Sequence, residues 1–358
     1  MPARAARRIE SADLANRLAA VVIFSTCLWG LYWLYEGFHT LGDLRGYQSM
    51  YLTQGGYLRE QSRDPIWVFV ISTAATLLGD QNFNLFHFLI YSAWGVMAAW
   101  IIWIARAPFF ISALILLIVA LSKASEQLRE ATALIFMLVP LVSAMADQKS
   151  RPRLIGAASV VAFLTHWGSV VFVVTWIGAS IISTFPNRQR IWRRVPFLLP
   201  VAAVISAAFV AMLVTDRADY LQFVLTRYSG IYQLAPEAAV YKKLYWVVLG
   251  FGVYFIGDQV QRQADVLTKW LYCFVVVLGK FTLPLAYFIC AFLIFTNFPF
   301  ASILELFSRA LTSLIWVAMI ISLVRGRANW ITVAVAVAIF ANGYRQLAPF
   351  LTPGHLPV

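Results

Sequence analysis

Apolar runs bounded by charge recur along the whole chain, at 18–35, 66–78, 85–105, 108–122, 131–146, 154–185, 195–215, 244–257, 270–297, 304–324 and 329–342. A bilayer-spanning helix needs about 20 such residues, and in lipid only a helix or a closed barrel satisfies its own backbone. Charged residues make up 12% of the 358-residue chain, about half the share usual in a soluble domain, roughly 25%. The sequence therefore predicts an all-α, polytopic membrane protein: a single domain of roughly ten to eleven transmembrane helices. No fixed-period repeat or soluble segment large enough for its own core interrupts it. The basic start (Arg4, Arg7, Arg8) before the first run lacks a small-residue cleavage site, so that run is expected to stay as a first helix.

A net charge of +12 and a pI near 9.8 would suit a nucleic-acid binder, but where the charges fall argues otherwise. Basic residues collect in cytoplasmic loops, so 4–17, 149–153, 188–194 and 325–327 should share one side. That side holds 16 Lys and Arg against 5 acids, and the remainder holds 12 against 11. The surplus marks topology, and no nucleic-acid partner is expected.

Parity constrains the crossings. Five runs lie between the basic N-terminus (1–17) and the basic loop at 149–153, yet two ends on one side require an even number of spans. Residues 66–78 follow a polar stretch and are too short to span, so they are expected to form a re-entrant or interfacial helix within an outer loop, 36–83. The 32-residue run 154–185 has basic clusters at both ends and should be a hairpin breaking near His166-Trp167-Gly168. A further outer loop is expected at 216–243.

The outer segments carry the polar residues that are costly there. Asp43, Tyr47 and Tyr51 recur at i, i+4, i+8, so one helical face presents a carboxylate and two phenols suited to sugar hydroxyls or to base chemistry. Glu60 and Asp64 follow just before Pro65. A solvated amphipathic segment with interfacial tyrosines would have the same pattern. Four charges lie within Lys123–Glu130, between two short apolar runs. Arg129 there has the planar donor fork that matches a phosphate or pyrophosphate, with Glu126 beside it; the alternative is an arginine paired with Glu126 or Glu130. His166, beside Gly168 and Ser169, can serve as base, acid or phosphate donor, or simply as a packing residue. Loop 216–243 mixes tyrosines with Arg217 and Arg227, as a carbohydrate-facing lid would. Arg309, four residues after Glu305, is either a second anion contact or a local pair. Lys280 before Pro284 marks a broken helix or a snorkelling lysine.

The chain has no Walker, GxGxxG, GxSxG or HExxH motif. The cysteines and histidines show no metal-ligand spacing, so no cofactor is expected, while the scattered outer acids leave a divalent metal open.

Taken together, several stretches resemble the EpsG family, Wzy-like polymerases of exopolysaccharide and O-antigen repeat units. They are Asp43-xxx-Tyr47-xxx-Tyr51, Arg63-Asp64-Pro65-Ile66, Gly79-Asp80-Gln81-Asn82-Phe83, Glu126-Gln127-Leu128-Arg129-Glu130 and Phe163-Leu164-Thr165-His166-Trp167-Gly168-Ser169. The histidine stretch carries one more residue before its serine than the family's His-x-Ser. The resemblance runs from about residue 30 to 185. It implies a GT-C-like glycosyltransferase in the bacterial cytoplasmic membrane, N-terminus inside, acting at the outer face on undecaprenyl-pyrophosphate-linked oligosaccharides. Membrane lipid, a chain-length regulator and export proteins would be its other partners. On that reading Arg129, helped by Arg217 or Arg309, holds the donor pyrophosphate, and His166 or Asp43 deprotonates the acceptor hydroxyl. An O-antigen ligase would use similar groups, a lipid-linked glycan flippase would need a continuous polar path, and a membrane acyltransferase would leave the arginines without a role.

Overall fold

The computed structural model describes residues 2–34, 43–60, 64–120, 127–147, 149, 151–184, 270–275, 277–278 and 301–343. Every regular element among them is helical. In chain order these are α1 (Pro2–Leu34), α2 (Asp43–Leu52), α3 (Gly56–Glu60), α4 (Pro65–Leu78), α5 (Phe83–Ile104), α6 (Phe109–Val119), α7 (Leu128–Ala146), α8 (Pro152–Thr165), α9 (Val170–Thr184), α10 (Ala301–Arg325) and α11 (Trp330–Gly343). Among the described residues, α5 and α7 are long and apolar enough to cross a membrane; α4, α6, α8, α9 and the parts Leu14–Gly30 of α1 and Ser313–Arg325 of α10 are shorter apolar helices. The expected runs at 195–215 and 244–257, and the expected loop at 216–243, lie outside the described residues.

The chain divides into two compact units, 1–172 with 319–358, and 173–318. In the second, Trp270 Nε1 donates to Ser180 Oγ at 3.3 Å and the Trp270 ring stacks on Phe274.

Three side-chain bonds fix how α1 lies on α5. Tyr32 Oη donates to Asn84 O (3.3 Å), Tyr91 Oη to Leu28 O (3.1 Å), and Arg17 Nη1 to Trp103 O. As the α1 number rises the α5 number falls, so the two helices are antiparallel. Their seam is aromatic, with Trp29, Tyr32, His87, Phe88 and Tyr91 in ring contact. Leu128, the first residue of α7, is buried in one cluster with Phe83 and Phe86 at the start of α5, and Trp94 Nε1 donates to Ala131 O at 3.2 Å. The first turns of α5 and α7 therefore meet at the same end.

α7 and α8 form an antiparallel pair. Arg151 Nη2 bonds Asp147 Oδ2 at 2.5 Å across their connection, and Ser159 Oγ lies 3.5 Å from Met137 Sδ midway along. Pro152 opens α8 at a position where its missing N–H costs nothing. The apolar run that the sequence sets at 154–185 is broken where expected: α8 stops at Thr165 and residues Trp167–Ser169 form a single 3-10 turn before α9.

α4 is bounded by Pro65 in its first turn and by Gly79, whose φ of 87° lets its N–H close on Ala75 O at 3.0 Å. At 14 residues α4 is about 21 Å long. Trp67 in its first turn touches Phe86, and Tyr51 Oη lies 3.2 Å from Ala74 O and 3.0 Å from Gly79 O near its end. Tyr51 in turn packs on Phe83 and Phe86. Both ends of α4 are thus tied to one turn of α5, so α4 lies over the start of α5 instead of running beside it.

These pairings sort charge to opposite ends. Arg17, Arg106, Asp147, Arg151, Arg325 and Arg327 gather where α1 enters, α5 ends and α8 begins. Asp64, Arg129 and His166 belong to the other end.

Candidate functional site

Asp64 precedes α4 in the left-handed region, φ 45° and ψ 56°. This conformation is uncommon for a residue with a Cβ, and more so before proline. An aspartate at a helix N-cap ordinarily accepts from the amides of the first turn, but this carboxylate makes no such bond. It turns instead to Arg129 on the first turn of α7, whose Nη1 donates to Oδ2 at 2.6 Å. The aspartate side chain is 3% exposed and the arginine 17%, so the pair is largely withdrawn from solvent. A backbone strain held at a residue that pairs with Arg129 marks this position as specially built.

The arginine sits over an aromatic floor. Its guanidinium carbon lies 5.9 Å from the centroid of the buried Tyr47 ring, within cation–π range, and Tyr47 meets Trp67 edge-on at 5.5 Å. Trp67 is fully buried, and its Nε1 has no hydrogen-bond partner among the described residues.

His166 reaches the same end through the α7–α8 pairing. From the Met137–Ser159 contact, eight residues back along α7 lead to Arg129 and seven onward along α8 lead to His166, about 10–12 Å in each case. The 3-10 turn after His166 packs on α7. His166 is buried, with extended backbone that ends α8; its N–H still donates to Ala162 O (2.9 Å), and its carbonyl accepts from Ser169 N–H (2.8 Å). The imidazole lies against Gly168, where a Cβ would stand 2.9 Å from Nε2. Ser169 Oγ is buried without a hydrogen-bond partner among the described residues.

Of the residues singled out from the sequence, the structure brings Arg129, Asp64 and Tyr47 into contact and sets His166 level with them. Arg129 pairs with Asp64, 65 residues away in sequence and at the start of a different helix. Tyr51 stands apart, fully buried with its hydroxyl on the two α4 carbonyls. Burial raises its phenol above the ordinary value, and Asp80 adds to the shift, so it stays a protonated donor. Asp43 opens α2, Glu60 closes α3 and Arg309 lies on α10. The side chains of those three, and Glu126, Arg217, Arg227 and Lys280 entirely, lie outside the described residues. Sequence reasoning passed over Trp67 and the steric role of Gly168. The closeness of Trp67 to the Asp64-Pro65 step was the available signal.

Chemically, the arrangement offers a guanidinium fork, an imidazole and a buried hydroxyl beside the first turn of a helix, whose amides favour negative charge. It suits an anion with a reacting hydroxyl nearby. No protein-family model, curated protein or solved structure matches the chain.

Proposed function

We propose that the protein is a polytopic bacterial inner-membrane glycosyltransferase that polymerises undecaprenyl-pyrophosphate-linked oligosaccharide repeat units, as its resemblance to the EpsG family implies. The observation carrying this reading is the Arg129–Asp64 pair, held by strained backbone at the end opposite the basic residues, with His166 at its level. If the basic end faces the cytoplasm, this end faces outward, where lipid-linked repeats are joined. The apolar side chains left on the outside, among them Val22, Leu85, Leu89 and Val96, suit acyl chains for neighbours. α4 is then the re-entrant helix. α8, about 21 Å long, ends at His166 short of a hydrocarbon layer about 30 Å thick.

In this reaction Arg129 binds the donor pyrophosphate and meets the charge that develops on it as the bond from the anomeric carbon to phosphate oxygen breaks. His166 or Asp43 takes the proton of the acceptor hydroxyl, whose oxygen forms the new glycosidic bond. The lipid pyrophosphate leaves with the electron pair, and the growing chain passes to the next lipid-linked repeat. No nucleotide sugar or ATP enters.

Purified protein incubated with lipid-linked repeats should give a ladder of lengths. Arg129→Ala and His166→Ala, each with expression verified, should abolish it. A normal ladder from both variants would remove the site assignment, and a single transfer without a ladder would favour a ligase.

A further inference from the structure

At the end opposite the proposed active site, the connection between α10 and α11 is locked to the connection between α5 and α6. Leu323 O accepts from the N–H groups of Arg106 (3.2 Å), Ala107 (3.1 Å) and Gly326 (3.1 Å). Gly326 adopts a φ of 75°, and a Cβ there would stand 2.9 Å from Arg106 Cβ and 3.1 Å from its carbonyl oxygen. Only glycine allows the two segments to approach so closely. The lock sets Arg106 within electrostatic reach of Arg325, with Arg327 two residues further on. Arg17 on α1 is tied to Trp103 O three residues before Arg106.

Like charges fixed together by backbone repel, and nothing nearby in sequence neutralises them. The chain has no Asp or Glu in 81–125 or 306–358, and among the described residues no carboxylate pairs with Arg106, Arg325 or Arg327. Among the described residues that repulsion has no counter-charge, and an anion from outside would supply one. Its chemistry follows from what surrounds the arginines. Trp103 and Trp330 are 40% and 64% exposed beside them, and the Trp330 ring lies 6.3 Å from Phe110. Exposed tryptophans next to arginines at the ends of apolar helices are the signature of the headgroup layer, where basic pockets between helices take lipid phosphates.

We propose that Arg106, Arg325 and Arg327 form a binding site for the phosphate headgroup of an anionic phospholipid. The phosphodiester would bridge guanidinium groups that otherwise repel, and its acyl chains would lie along the apolar outer faces of α6 and α11, which pack together. The site is independent of the Arg129 assignment.

The test is thermal unfolding of the purified full chain in neutral detergent, titrated separately with phosphatidylglycerol, phosphatidylcholine and inorganic phosphate. Phosphatidylglycerol should raise the midpoint, and equal concentrations of the other two should not. Arg106→Gln/Arg325→Gln should weaken the apparent affinity for phosphatidylglycerol at least about fivefold per arginine, while Arg153→Gln, at the same end but outside the lock, should bind as wild type. Equal stabilisation by phosphatidylcholine, or by inorganic phosphate alone, would overturn the proposal, as would wild-type affinity in the double variant. If that variant does not fold, Arg327→Gln and the wild-type comparison of the three additives decide by the same criteria.

Discussion

At the scale of single residues, Asp64 carries two costs: a left-handed backbone before a proline, and a carboxylate taken out of water. Arg129 offsets the second, so removing either partner leaves a buried charge less well compensated. Asp64→Ala should destabilise the protein by on the order of 3 kcal/mol, whereas Asp64→Asn combined with Arg129→Gln should cost clearly less, because an amide pair leaves no stranded charge. Thermal unfolding of Asp64→Asn, Arg129→Gln and their combination in detergent measures that coupling, and simple addition of the two single effects would show that the pair does not act as a unit. Gly168 allows a different separation. Its added Cβ would meet the far end of the His166 ring, which can shift, so Gly168→Ala should move the melting temperature little yet lower elongation tenfold or more. Residue types were legible in the sequence: Arg129, Asp64 and His166 are costly groups in an apolar chain. Their pairing was not, because 65 residues separate Asp64 from Arg129 and spacing exposes only local partners such as Glu126 and Glu130.

For the elements, legibility was higher. A short run between Pro65 and Gly79 predicts α4 almost to the residue, because proline and glycine act on the backbone locally. The break at His166 was readable for a related reason, an apolar run too long for one helix with its polar interruption near the middle. What stayed hidden was how α4 is moored. The spacing of Asp43, Tyr47 and Tyr51 suits either a sugar-facing phenol or an interfacial tyrosine, but the fold points the Tyr51 hydroxyl at Ala74 and Gly79 carbonyls. Tyr51→Phe should cost about 1 kcal/mol. A phenol whose folded pKa is raised contributes stability fully below its unfolded value of about 10 and loses it as pH rises through the folded value. Tyr51→Phe should therefore flatten part of the loss of thermal stability above pH 10, and an unchanged alkaline profile would place that loss elsewhere.

On the scale of the whole molecule, the sides that counts and parity assign are an expectation that labelling tests; within the first unit, Arg106, Arg325 and Arg327 lie at the end opposite Asp64 and Arg129. In a cysteine-free background, cysteines at the exposed positions Gln81 and Arg327 should react with a membrane-impermeant maleimide from opposite sides of intact cells, Gln81 from outside. Labelling of both from one side would refute the topology. The pairing of Arg129 with Asp64 also bears on the complete cycle. Any phosphate that takes up the guanidinium must displace an internal competitor that is tethered beside it and never diffuses away. Resting affinity would be lowered by that exchange, and on the proposed function so would the barrier to expelling a spent lipid pyrophosphate, because the carboxylate returns as the product departs. A clamp with its own counter-ion attached is tuned for turnover, which is what the proposed polymerase, releasing one carrier lipid for every repeat added, would need from its grip.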